Sequence, residues 1–190
     1  LWQILQMEIL PSLVEKHRQK MFVWSAGCAS GEEVYSLKIL WDALKESIPH
    51  LQELEITATD LNPVYLERAM AGVYPSSSLK EVPEQFRSAY FRAQGKGLYA
   101  LTPSLQKGII WQTQHLLSDP PGSLFHLIFL RNNLLTYYQD GFKKPAFSKV
   151  INQLSANGFL IIGSHERLPF ERTDLVPYGS LSYVFKKRGG

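Results

Sequence analysis

The residues with chemical potential begin at a glycine turn. Val23-Trp24-Ser25-Ala26-Gly27-Cys28-Ala29-Ser30-Gly31-Glu32-Glu33-Val34-Tyr35-Ser36-Leu37 reads as an apolar strand, a tight turn and the start of an amphipathic helix. Gly27 and Gly31 permit positive φ and a close approach of a ligand to the backbone. A nucleotide-like cofactor is gripped in this way at the first strand-to-helix junction of an α/β sheet, although an ordinary loop has the same look. Ser30 and Glu33 stand at capping-box spacing, which predicts that they cap the helix reciprocally. Asp60 closes the next apolar run, one strand-helix unit later, where a carboxylate can accept hydrogen bonds from a ribose diol. The competing reading is a carboxylate that holds the amides of the helix start behind it.

Other chemistries find less support. The turn carries Ala29 where a nicotinamide fingerprint wants its central glycine, and no Gly-Lys-Ser/Thr signature marks a phosphate loop. An adenosyl cofactor without a pyrophosphate fits better. Cys28 precedes a helix start, which can activate a thiol, but a lone cysteine in an apolar turn reads as packing. His17, His50, His115, His126 and His165 show no metal-ligand spacing, so no metal is expected. Net charge is +3 with the basic residues scattered, which argues against nucleic acid. Lys186-Lys187-Arg188 reads as a solvated tail. A single cysteine fits a reducing compartment, the cytoplasm, and no apolar run is long enough for membrane insertion.

The elements that must position these residues follow from periodicity. With 190 residues, 45% of them hydrophobic, the chain suffices for one domain with a substantial core. Residues 1–20 have helical spacing, with a kink expected at Pro11. Met21–Trp24 is a buried strand, and the helix after Gly31 places Val34, Leu37, Leu40, Trp41 and Leu44 on one face. Leu54–Thr59 is a second strand. Asn62 and Pro63 start a helix that stops at Gly72. Residues 74–104 break the rhythm and read as an inserted helical and hairpin subdomain, with hairpin arms Ala89–Ala93 and Leu98–Thr102. Strands resume at Ile109–Thr113, ending near His115-Leu116-Leu117. The apolar run Leu124–Leu130 reads as the central strand, ending at Arg131-Asn132-Asn133. A helix over Phe142–Leu154 is expected to close on Asn157-Gly158 as a left-handed cap. Phe159–Gly163 precedes Ser164-His165-Glu166, and Ser180–Lys187 alternates like an antiparallel strand. The alternation predicts an α/β fold on a mostly parallel sheet, with ligands at the carboxyl ends of its strands.

Taken in order, these segments resemble the CheR-type protein-glutamate methyltransferases of bacterial chemotaxis. The turn quoted above resembles their first motif, and Thr57-Ala58-Thr59-Asp60-Leu61-Asn62 their second-strand motif. Leu66-Glu67-Arg68-Ala69-Met70-Ala71-Gly72-Val73-Tyr74 resembles the following helix. Ile128-Phe129-Leu130-Arg131-Asn132, ending in Tyr137-Tyr138, resembles the fourth-strand motif, and Ser164-His165-Glu166 a similar cluster. The resemblance implies a Rossmann-like class I methyltransferase fold, a seven-stranded sheet with an antiparallel last strand. It implies S-adenosyl-L-methionine as cofactor, S-adenosyl-L-homocysteine as product, and a protein carboxylate as acceptor, possibly on a chemoreceptor. By position, Glu33 would contact the methionine end and Asp60 the ribose, with Gly27 and Gly31 on that methionine-and-ribose side and Leu61 among the cofactor-binding residues. His115 and Leu116 would border the adenine, with Arg131 and Asn132 near the methyl. Tyr137 would orient the acceptor oxygen while Arg131 holds its charge.

The chain departs from the family pattern in four places. The family's helical amino-terminal domain is expected to be absent, leaving a single domain over 1–190. His115 replaces an Asn. One extra residue separates Arg131-Asn132 from Tyr137, which makes Asn133 a rival counterpart of the family's Asn. The hairpin at Gly95-Lys96-Gly97 is trimmed, which argues against receptor tethering there. A non-catalytic cofactor-binding or regulatory module, and a methyltransferase acting on a small molecule, are the alternatives.

Overall fold

The amino-terminal segment is a single rod with a defect inside it. In a computed structural model, which describes residues 1–189, α1 (Trp2–Ile4) continues through a π-helical turn (Leu5–Ile9) into α2 (Leu10–Lys16). The irregularity expected at Pro11 thus lies one turn earlier. Pro11 has no N–H to give and its ring crowds the carbonyl four residues back, at Met7, so the helix widens there. Leu5, Ile9, Leu10 and Leu13 are fully buried, which fixes the rod against the sheet.

β1 (Lys20–Ala26) follows, then α3 (Glu32–Leu44), β2 (Glu53–Asp60) and α4 (Pro63–Ala71). Asn62 caps α4 as expected, its side chain accepting from Val64 N, and Gly72 ends it with φ +61°. Next come β3 (Val73–Pro75), α5 (Glu84–Tyr90), β4 (Phe91–Gly95) and β5 (Leu98–Leu101). These three strands form a separate antiparallel sheet in the order β3-β5-β4. The first hairpin arm therefore starts two residues later than expected, because Ala89 and Tyr90 close α5.

β6 (Ile109–Thr113) and β7 (Phe125–Leu130) return to the main sheet, followed by α6 (Leu134–Tyr137), α7 (Asp140–Asn152) and β8 (Leu154–Ile162). β9 (Leu175–Tyr178), which the sequence pattern did not reveal, and β10 (Leu181–Lys187) complete it. The seven strands run in the order β6-β2-β1-β7-β8-β10-β9. β6, β2, β1, β7 and β8 pair in parallel, and β10 is antiparallel to both neighbours. β7 is the central strand, as its apolar run predicts. Two buried clusters cover the two faces, one built around α2, α3 and β1, the other around α7.

Two expectations fail at the far half of the sheet. α7 does not close on Asn157-Gly158; it ends at Asn152, with Gln153 still right-handed. Asn157 (φ +61°) instead sits inside β8. There the pairing with β7 jumps from Phe125–Leu154 to Leu127–Phe159, so the left-handed residue shapes a bulge. Nor is the basic tail free: Lys187 lies in β10 and its Nζ donates to the carbonyls of Ile151 and Leu154, neutralising the carboxyl end of α7.

Candidate functional site

The sheet order reverses between β1 and β7, and the chain's polar residues gather at the carboxyl ends of these strands. After β1 the backbone turns through Gly27 (φ +80°), Ala29 (φ +47°) and Gly31 (φ +83°). Gly27 N and Cys28 N both donate to Thr59 O, at 2.7 and 2.9 Å, which locks the turn to the end of β2. A Cβ on Gly27 would run into the Asn133 side chain, and one on Gly31 would press on Ala69 and Trp111. Gly27 thus serves a close approach from β7, and Gly31 serves helix packing beneath the turn.

Asp60 does what the helix-start reading required and also reaches the turn. Its Oδ1 accepts from Asn62 N at 2.9 Å, and its Oδ2 accepts from Ala29 N at 2.8 Å. Each oxygen retains a further lone pair, and the side chain lines a cavity of about 200 Å³. Gly27, Leu61, Gln114, Leu116, Asn133, Tyr137 and Tyr138 complete that lining.

The capping box does not form. Gly31, in the left-handed region, is the N-cap of α3 and no side chain caps it. Glu33 turns away from the helix end: Ser25 Oγ donates to Oε1 at 2.9 Å, and Arg131 Nη1 pairs with Oε2 at 3.0 Å. Burial pushes the Glu33 carboxyl above its ordinary range, and the Arg131 charge with the Arg131 and Ser25 hydrogen bonds only partly draws it back. A second cavity, of about 400 Å³, is lined by Trp2, Gly27, Cys28, Ala29, Glu32, Glu33, Ser36, Arg131 and Asn132. The Cys28 thiol on its wall is pushed up to about 12, first by burial and then by the Asp60 charge, so it stays protonated and is no nucleophile.

The two cavities meet at Gly27, which lines both. The structure therefore gathers Gly27, Glu33, Arg131 and Asn132 on one side and Asp60, Leu61, Leu116 and Tyr137 on the other. Two expected residues line neither. Gly31 lies beneath the turn, and His115 packs its ring edge-on to Tyr138 at 6.0 Å while its Nδ1 accepts from Leu117 N. Its neighbour Gln114 takes the place on the wall. Arg131 and Tyr137 also line different cavities, with Tyr137 on the Asp60 side and 78% exposed.

The loop also resolves the two asparagines. Asn132 (φ +54°) is exposed beside Arg131, whereas Asn133 donates through Nδ2 to Ala26 O and accepts from Leu134 N as the N-cap of α6. Gln114, Tyr138 and Trp2 were not foreseen as lining. Gln114 had a usable signal, its place at the end of β6; Trp2 had none, since its ring reaches the site by packing near Phe129, at 6.2 Å between centroids.

The residues fit an adenosyl cofactor. Gln114 Oε1 is buried without a hydrogen-bond partner, an acceptor of the kind that an exocyclic amino group satisfies. The larger cavity falls within the range of small-molecule sites, about 300–1,000 Å³. No cluster of metal-ligating side chains occurs among the described residues.

Comparison with known proteins gives a consistent answer. The chain is 37% identical over 167 residues to the chemotaxis protein methyltransferase of Listeria innocua, and 32% identical over 174 residues to chemotaxis protein methyltransferase 1 of Pseudomonas aeruginosa. Each match covers 88% of this chain and 62% of the relative, so the chain spans about three fifths of these relatives' length. Among solved structures, the citrinin polyketide synthase CMeT domain superposes with a TM-score of 0.53 at 15% identity, covering 88% of this chain and 36% of that one. The fold is that of the class I S-adenosylmethionine-dependent methyltransferases, a Rossmann-like α/β sheet with antiparallel final strands. A family model described as "CheR methyltransferase, SAM binding domain" matches residues 1–183, and the chain belongs to that family.

Proposed function

We propose that this chain binds S-adenosyl-L-methionine across Gly27 and directs methyl transfer to a protein carboxylate, in a chemotaxis-like signalling system of the cytoplasm. The observation that carries the proposal is the pair of cavities sharing Gly27, one with the Asp60 carboxylate and the other with the Glu33–Arg131 pair. The names of the curated relatives support a chemotaxis role. A receptor glutamate is the acceptor that reading favours.

When bound, the cofactor supplies a sulfonium-activated methyl group to a carboxylate oxygen and departs as a neutral thioether. The acceptor carries no proton to remove, so the chain needs no general base and its task is alignment. Asp60 offers acceptors to ribose hydroxyls, Gln114 Oε1 to the adenine amino group, and Glu33 to a cationic amine at the methionine end. Gly27, where the two cavities meet, leaves room for Asn133 to close on the turn and so shapes the wall that the ligand crosses. Arg131, held by Glu33, keeps a fixed positive charge where an acceptor carboxylate must lie.

The test is transfer of label from methyl-radiolabelled S-adenosylmethionine to proteins of a lysate from the source organism, using the full-length protein. The expected product releases its label in mild alkali, as a methyl ester does. Label that resists alkali contradicts a carboxylate acceptor. A non-catalytic module is the second reading, favoured by the separation of Tyr137 from Arg131. S-adenosylhomocysteine binding with no labelled product at all is its signature.

A further inference from the structure

Among the described residues, Glu166 is the one charged residue in the buried class, 6% exposed, and the mechanism above leaves it without a task. It follows β8 in Ser164-His165-Glu166, and its own amide donates to Gly163 O at 2.9 Å, which curls the segment back under the site. Its Oε2 accepts from Gly163 N at 2.6 Å and from Asn132 N at 3.1 Å; its Oε1 accepts from Thr136 Oγ at 2.6 Å. One carboxyl group thus joins the end of β8 to the loop that leaves β7, at Asn132, and to α6, at Thr136.

That loop needs such a clamp. Asn132 is left-handed, a conformation that asparagine tolerates better than other non-glycine residues and that hydrogen bonds from neighbouring groups hold in place. Arg131 and Asn132 line the larger cavity, and Asn133 reaches back to Ala26 O, beside Gly27. The packing around the clamp is close: a Cβ on Gly163 would overlap Asn132 Oδ1 and lie 2.7 Å from Glu166 Oε2. A buried carboxyl that satisfies two backbone amides and a hydroxyl fixes geometry at a place where hydrophobic packing has no directional hold.

We infer that Glu166 is a positioning residue: it fixes residues 131–136 against the cofactor turn and thereby sets where Arg131 meets the acceptor. The functional half rests on the proposed methyl transfer; the geometric half does not. All three donors are neutral, so glutamine can replace the carboxyl. Its oxygen takes the two amides, and its amino group donates to Thr136 Oγ in a reversed hydrogen bond. Alanine removes all three. Glu166 bonds only to Gly163, Asn132 and Thr136; Asp60 and Gln114, on the adenosine side, take none of its hydrogen bonds and meet the clamped stretch only at Asn133.

The experiment compares wild type, Glu166→Ala, Glu166→Gln and Val184→Ala in the full-length protein, by amide hydrogen exchange and by the initial rate of base-labile label transfer. Val184, fully buried in β10, controls for lost stability alone. In Glu166→Ala, exchange at Asn132 rises at least about tenfold while the β7 amides hold. Its transfer rate at saturating cofactor falls about tenfold or more, and KM for S-adenosylmethionine stays within about threefold. Glu166→Gln stays near wild type in both measures, and Val184→Ala keeps its rate. The inference is overturned if Asn132 stays protected in Glu166→Ala, if Glu166→Gln loses as much rate as Glu166→Ala, or if Val184→Ala does. A wild type that transfers no methyl group sinks the functional reading, and the exchange data still decide the clamp.

Discussion

Glu33 shows how a single residue trades stability for a site. Its sequence position suggests a helix cap, yet its carboxyl is buried against Arg131, 98 residues away. Local capping chemistry is legible from four consecutive residues; an ion pair across such a separation is not, and the long-range partner wins. Burial leaves the Glu33 carboxyl above its ordinary value of 4.5 despite that partner. The stability linked to this raised value is fully present below about 4.5 and is lost as pH rises through the folded-state value, so at neutral pH the ionised form is carried at a cost. Glu33→Gln keeps the shape and one acceptor while removing the charge. Its melting temperature at pH 7 is expected to equal or exceed wild type, while affinity for S-adenosylhomocysteine drops about tenfold or more, about 1.4 kcal/mol. A lower melting temperature with unchanged affinity contradicts the assignment. Asp60 was easier to foresee because its partners, Ala29 N and Asn62 N, flank the same strand end and the turn paired with it.

Among the elements, the amino-end edge of the sheet carries a device the site does not use. His17, just after α2, stacks on His126 of β7 with centroids 3.9 Å apart. His126 Nδ1 accepts from Phe22 N at 3.0 Å, and His17 Nε2 is buried without a partner. Burial lowers both values; the adjacent Lys16 charge lowers His17 further, and the His17 charge adds to burial in taking His126 to about 4. A lowered histidine contributes stability that is present above its ordinary 6.5 and declines as pH falls towards 4. Between pH 7 and pH 5 the folded chain is expected to lose roughly 1 kcal/mol by this route, after allowing for solvent screening, measured by urea denaturation. His126→Asn, whose side-chain oxygen can take the Phe22 amide, should lose less over the same interval; an equal loss contradicts the account. Most elements were legible because hydrophobic period and Pro/Gly punctuation are local. What escaped was set by neighbours. The π-turn answers Pro11 only because Leu5 and Ile9 must both face the core. Asn157-Gly158 shapes a bulge because β7 pairs on both sides of it. β9 exists only as a partner for β10.

At the scale of the molecule, one topological fact organises the rest: the sheet reverses between β1 and β7, and their carboxyl ends bring together residues from four separate stretches of chain. The glycine turn, Asp60, Arg131 and the Ser164-His165-Glu166 cluster could be ordered along the sequence, but the division of the first three between two cavities could not. It depends on the path of the chain from Arg131 to Tyr137 and on which face of the β6 terminus Gln114 presents. The chain belongs to the CheR family, and the proposed function requires its own residues to hold the adenosyl cofactor across Gly27. Calorimetric titration with S-adenosylhomocysteine tests it most directly. Wild type is expected to bind in the micromolar range, near 8 kcal/mol, and Asp60→Ala to bind at least about a hundredfold more weakly. No binding by wild type, or binding that Asp60→Ala leaves unchanged, contradicts the account.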